Sequence, residues 1–313
     1  MSGKIILLCG IPSEPPLELA IKAAEAKGVS FAIFNQRQSH YINMCLQVDR
    51  NQWHGVLSLP NIELALDKIA GVFVRLMDSR DLPENKTSQQ LSYSAEDLER
   101  SHVLHFAFND WLDIAPIRVL NRPTPMASNM SKPYQAQFIT SVGFLTPRTL
   151  ITNDPNAVRE FKRENGQIIF KSISSIRSIV REFEGSYTTH TERIRFLPTQ
   201  FQKFIQGTNI RVHVIGDRIF ATKVNTEAVD YRYAGRDGLD VDMESYQLPD
   251  SERERCLSLS RILRLPLCGI DLKLTPAGEY YCFEVNPSPA YSYYQEHSGQ
   301  PIAEAIIDYL VGE

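Results

Sequence analysis

Residues 267–274 read LCGIDLKL and residues 280–289 read YYCFEVNPSP, and on these two runs the reading of the fold turns. Both are mostly apolar, and Pro276-Ala277-Gly278 between them supplies the residues of a tight turn. The pattern predicts paired strands over 267–274 and 280–285. Asp271 lies between Ile270 and Leu272, and Glu284 between Phe283 and Val285, so each acid interrupts an apolar strand. Glu284 and Asn286 are two residues apart and share one face. Three hard oxygen donors on adjacent strands suit Mg²⁺, which keeps waters and takes its other ligands from phosphates. A solvent-facing strand end is the plainer reading of Asp271 alone; the apolar neighbours and the threefold set argue against it.

Working outward, residues 210–215 and 218–224 flank Gly216-Asp217, a hairpin signal. A helix is expected over 250–265, its mixed arginines and glutamates forming a solvated face, and another over 302–311. Towards the N-terminus, residues 4–9 (KIILLC) read as a strand, residues 16–27 as a helix closed by Gly28, and residues 29–34 as a second strand. Further strands are expected at 56–59 and 71–75 around a helix at 62–69, which makes an α/β unit with a parallel sheet. Ser94 is placed to cap a helix running to about residue 112. A strand begins at Ile117 and gives way to prolines, serine and asparagines up to Met130, which marks a boundary. Helices then follow over 131–142 and from Asp154-Pro155 to Gly166, and a strand over 167–170 delivers Lys171. An N-terminal parallel α/β domain, 1–118, is thus followed by an α+β region.

The 313 residues are 43% hydrophobic and 22% charged, an ordinary globular composition, with a formal charge of −4 that argues against a coat for nucleic acid. No apolar run approaches the roughly 18 residues of a membrane span. Five cysteines, none close to another, point to free thiols rather than a disulfide framework or zinc ribbon, and so to a cytoplasmic setting. Walker A, dinucleotide-loop and HExxH signatures are absent. What remains is cations near the oxygen donors. Lys132 and Lys171 are point charges suited to phosphates, and Arg211 and Arg232 are bidentate clamps for phosphate or carboxylate. Each alone is more simply a surface or structural residue.

Taken in order, Lys132, Lys171 after a strand, QKFI at 202–205, NIR at 209–211, DYR at 230–232, GIDLK and FEVNPSP resemble the ATP-grasp superfamily, specifically ribosomal-protein glutamate ligase-like (RimK-like) enzymes. FKSISS at 170–175 and LPTQFQKF at 197–204 are similar to the microviridin-type (graspetide) peptide ligases. The resemblance implies a pre-ATP-grasp domain over 1–118 and a two-part ATP-grasp domain, 119–205 and 206–313, with ATP in the cleft between its halves. It implies that Lys132 and Lys171 hold phosphates. Gln202, Lys203, Phe204 and Ile205 would line adenine, and Asn209 would lie near the ribose or a phosphate. Arg211 and Arg232 would neutralise the transferring phosphoryl group. Asp271, Glu284 and Asn286 would bind Mg²⁺, with Mn²⁺ as a substitute.

Two departures from the family pattern stand out. The phosphate flap after the second lysine lacks glycine and reads SISSIRS, leaving the hydroxyls of Ser172, Ser174 and Ser175 and the charge of Arg177 to meet phosphate. Lys203 occupies a hinge position that is often acidic. The implied activity is ligation through an acyl phosphate, releasing ADP and phosphate. The substrate is a small-molecule, amino-acid or peptide carboxylate, with no nucleic acid or membrane partner and a homo-oligomer left open. A graspetide-type macrocyclase and a catalytically silent nucleotide-binding partner protein are the alternatives.

Overall fold

The computed structural model describes residues 5–50, 52–82, 94–173, 180–183, 194–226 and 242–312. Strand β1 (Ile5–Gly10) is apolar on both faces because it lies inside a parallel sheet of order β2-β1-β6-β7. Here β2 is Phe31–Asn35, β6 is Ile69–Val74 and β7 is Arg118–Leu120. Ile6 and Leu8 pack with helix α1 (Pro15–Ala26) and the last helix α7 (Ile302–Val311), while Leu7 and Cys9 pack with α2 (Ala95–Ile114). Ser94 starts α2 through a reciprocal cap with Asp97. Because α7 returns to the first sheet, the N-terminal unit shares its core with the C-terminus. Gly71 permits the approach, since a Cβ there would lie 2.7 Å from the Leu310 carbonyl oxygen.

The expected helix at 62–69 is instead a strand, β5 (Ile62–Ala65), followed by a single turn at Leu66–Lys68. Ile62-Glu63-Leu64-Ala65 alternates with period two, and only Leu64 of the four is buried. Leu59 pairs with Ile62 across Pro60-Asn61, so β4 (Gln52–Leu59) and β5 form a hairpin. With β3 (Asn43–Asp49), which sequence reading missed, they make an antiparallel sheet in place of the expected strand–helix–strand unit.

A third sheet, order β10-β9-β11-β8, comprises β8 (Thr149–Thr152), β9 (Ile168–Lys171), β10 (Arg181–Glu182) and β11 (Thr199–Lys203). It packs on α4 (Pro155–Asn165) through Val158, Ile168, Phe183 and Phe201. The fourth sheet, order β14-β13-β12-β15-β16, comprises β12 (Thr208–Ile215), β13 (Arg218–Asn225), β14 (Asp242–Tyr246), β15 (Leu267–Leu274) and β16 (Tyr280–Asn286). Its apolar face carries α3 (Lys132–Ser141) and α5 (Asp250–Leu263). Short helix α6 (Ser292–Ser298), like β14, was not expected from sequence.

Buried Asn121 joins the first sheet to the fourth. Its Nδ2 donates to the Leu267 and Pro287 carbonyls at 2.5 and 2.6 Å, and its Oδ1 accepts from the Leu267 N–H at 3.0 Å. Among the described residues no helix is long and apolar enough to cross a membrane.

All five cysteines are free, and Cys45 alone is exposed. Burial raises the Cys9, Cys256 and Cys282 thiols well above their usual range and pushes Cys268 up to about 12. At pH 8 the native protein is therefore expected to release one rapid equivalent of thionitrobenzoate from Ellman's reagent, abolished by Cys45→Ser, and all five after unfolding. A second rapid thiol would contradict this packing.

Candidate active site

The site grows from the register of three strands. Arg211 on β12 lies opposite Asp271 on β15, which lies opposite Glu284 on β16; His213, Gly269 and Asn286 form the adjacent row on the same face. A bulge makes this possible. Asp271 pairs with Glu284 but Leu272 pairs with Cys282, leaving Phe283 as the extra residue. Cys282 and Val285 thus both enter the apolar core, while Glu284 is turned to the opposite face.

The charges neutralise one another. Arg211 Nη1 donates to Asp271 Oδ1 at 2.5 Å, and Lys132 Nζ donates to Glu284 Oε2. Both cations are buried, and both acids are largely so. Arg211 fits because residue 269 is glycine: a Cβ there would lie 2.0 Å from Arg211 Nη2. Lys132 opens α3, whose N-cap Ser131 accepts from the Tyr134 N–H. One turn on, Gln135 donates to the Val285 carbonyl at 2.7 Å and accepts from the Val285 N–H at 3.1 Å, so the helix is fastened beside Glu284.

Asn286 Oδ1 accepts from the Ser288 N–H at 2.9 Å, which shapes the loop after β16. That loop is held from the first sheet by Arg75, which reaches Ser288 Oγ and the Pro289 carbonyl at 3.2 Å each and is itself gripped by Glu14. Sequence reading missed Arg75; its only signal was a charge ending the apolar strand over 71–75. It also passed over Lys273 in the quoted GIDLK. That ammonium lies 5.5 Å from the Phe204 ring and 6.0 Å from the Phe283 ring, and burial lowers its pKa.

The third sheet presents a different set. Lys171 pairs with Gln200, and Gln202 lies two residues on, so the three share a face. They are 6%, 2% and 5% exposed. Gln202 Nε2 donates to Thr149 Oγ1 at 3.0 Å, whereas the Oε1 atoms of Gln200 and Gln202 have no partner among the described residues. Gln200 was another omission. The opposite face is the aromatic core of Phe170, Phe183 and Phe201. Of the expected hinge, Lys203 is exposed and ends β11, Phe204 follows with its N–H on the Gln167 carbonyl, and Ile205 is buried. Asn209 lies opposite Lys273 and Val224. Ser172 is exposed just past Lys171. Ser174, Ser175, Arg177 and Arg232 lie outside the described residues.

The structure therefore brings Lys132, Arg211, Asp271, Glu284 and Asn286 together. It places Lys171 and Gln202 on a second sheet, linked to the first group through Phe204 and Lys273. Among the described residues no three His, Cys, Asp or Glu side chains gather to hold a metal. Two carboxylates and an amide oxygen fit Mg²⁺ only when phosphate and water complete its shell. Divalent metal bound with a polyphosphate would draw the acids off their cations and give those cations the phosphates, leaving no buried charge unpaired.

The family model of the RimK-like ATP-grasp domain matches residues 137–310. A probable alpha-L-glutamate ligase 2 of Hahella chejuensis is 27% identical over 148 residues, covering 47% of this chain and 46% of the relative. The chain thus spans about half the length of that relative. Among solved structures, the macrocyclase MdnC bound with precursor peptide MdnA, from Microcystis aeruginosa, superposes with a TM-score of 0.80 at 22% identity, covering 99% of this chain and 100% of that one. An ATP-grasp ligase of Chryseobacterium gregarium in complex with ADP and a leader and core peptide gives 0.81 at 17% identity, covering 99% and 97%.

Gly269→Ala is expected to dislodge Arg211 from Asp271 and to lower the melting temperature, because a buried ion pair is broken. A crystal structure of the variant with the pair intact would show that the slot is wider than described.

Proposed function

Because the chain belongs to the RimK-like ATP-grasp family, we propose that it is an ATP- and Mg²⁺-dependent ligase joining a carboxylate, through an acyl phosphate, to an amine or hydroxyl. The observation that carries this reading is the double ion pair Arg211–Asp271 and Lys132–Glu284 on one sheet face. Each pair holds a metal ligand against a phosphate ligand, ready to separate when both are supplied. Asp271, Glu284 and Asn286 would hold Mg²⁺, whose contribution is to neutralise charge on the phosphates.

The substrate carboxylate attacks the γ-phosphorus, the bond to ADP breaks, and the acyl phosphate forms. Arg211, Lys132 and Lys171 spread the developing charge on the transferring group and its neighbours. The nucleophile then displaces phosphate. No covalent nucleophile of the protein takes part; its residues orient the reactants and exclude water. In this reading the amide oxygens of Gln200 and Gln202, which have no partner among the described residues, accept from the amino group of adenine, which favours ATP over a base carrying a carbonyl there. Lys273, partly desolvated between two rings, supplies charge near the same nucleotide.

A second reading narrows the substrate to a peptide. The likeness to a macrocyclase with its precursor peptide runs over 99% of the chain, first sheet included, whereas the glutamate-ligase relative matches only about half.

Hydroxylamine trapping with ATP and Mg²⁺ across amino acids, small acids and acidic peptides is expected to yield a hydroxamate and stoichiometric ADP. No hydroxamate with any acid would defeat the proposal. Glu284→Gln and Asp271→Asn should keep the fold and slow ADP release at least about tenfold, a barrier increase of about 1.4 kcal/mol or more. Near-normal turnover at saturating Mg²⁺ in either variant would remove that residue from the metal set. Arg232→Lys should bind ATP like the parent and slow ADP release by about tenfold or more, because lysine cannot make the planar two-toothed contact. An unchanged rate per molecule would return Arg232 to a structural role.

A further inference from the structure

His213 is fully buried on β12, two residues from Arg211 and on the same face of the sheet. Its Nε2 lies 3.5 Å from Arg211 Nε. An arginine Nε–H can only donate, so Nε2 is the bare, accepting nitrogen and the ring carries its proton on Nδ1. Nδ1 has no partner among the described residues. The ring meets Tyr294 of α6 nearly edge-on at 4.9 Å, and the Arg211 guanidinium lies over that same tyrosine at 5.5 Å. Burial, and then the charge of Arg211, depress protonation of His213 well below the usual histidine range.

The guanidinium is thus held on three sides: Asp271 at Nη1, His213 at Nε and the Tyr294 ring. Gly269 leaves the slot in which it lies. A buried strand position that needed only volume would take an apolar side chain. Histidine here leaves a buried N–H without a partner among the described residues, a cost that packing does not repay but a fixed arginine does.

We propose that His213 is a positioning residue for Arg211, accepting its Nε–H so that the guanidinium plane is set before phosphate arrives. The inference rests on the ligase reading of the site. It extends that reading to a residue that acts through the arginine without touching substrate.

Two measurements test it. In protein carrying ¹⁵N-histidine at pH 7.5, His213 is expected as the neutral Nδ1–H tautomer; an Nε2–H tautomer or an imidazolium overturns the proposal. His213→Phe keeps a ring against Tyr294 and deletes the acceptor. With the acid that gives the strongest hydroxamate, this variant should lose about tenfold or more in kcat for ADP release while KM for ATP stays within about twofold. His213→Gln places an amide oxygen near the Nε2 position and should recover most of the rate. An unchanged kcat in the phenylalanine variant, or a lower melting temperature with kcat retained, overturns the proposal. Should the parent form no hydroxamate with any acid, the ligase reading falls, and the tautomer alone decides whether His213 holds Arg211.

Discussion

Arg211, Asp271 and Glu284 share one face of the fourth sheet, Lys132 reaches Glu284 from α3, and none of the four could be withdrawn from water without its opposite. Removing a single partner from such a pair costs about 3–5 kcal/mol, because the remaining charge is left buried and unpaired. Much of the local architecture serves to bring these four groups together. The bulge at Phe283 turns Glu284 towards Asp271, glycine at 269 admits the Arg211 guanidinium, and Gln135 fastens the helix that carries Lys132. A metal complex of a polyphosphate meets both halves of such an arrangement at once.

The first sheet belongs to the same construction. Arg75, at the end of β6, holds the loop that follows Asn286, and Asn121, at the end of β7, ties that loop to the start of β15. Tyr291 is fully buried and donates to the Pro16 carbonyl at the start of α1. The segment between the proposed metal ligands and α6 is therefore anchored almost entirely by residues from the N-terminal half. Substitutions far from the charges, at Arg75 or Asn121, act on the site through this loop.

The third sheet contributes a face of different character. Its charge, Lys171, is buried beside two amide oxygens that find no donor among the described residues. Its other face is a small aromatic core on α4 and carries no chemistry. One sheet thus separates packing from recognition by strand alternation alone.

Much of this was legible in the sequence because it is local. The hairpins around Gly216-Asp217 and Pro276-Ala277-Gly278, the caps at Ser94 and Asp154, and the helix Ile302–Val311 all stand where turn chemistry and periodicity placed them. The oxygen donors were readable because acids interrupting apolar strands are costly without a purpose. The meander β3-β4-β5 was misread because four residues of Ile62–Ala65 are too few to separate a period of two from one of 3.6. The identity of each partner was beyond reach of the sequence. Arg211 with Asp271, Lys132 with Glu284 and Arg75 with Ser288 join residues far apart in the chain, and a one-residue change of register would have paired others. The sequence by itself determined which residue types stand on which strands. Only the tertiary structure, through one bulge and one glycine, decided which of them meet.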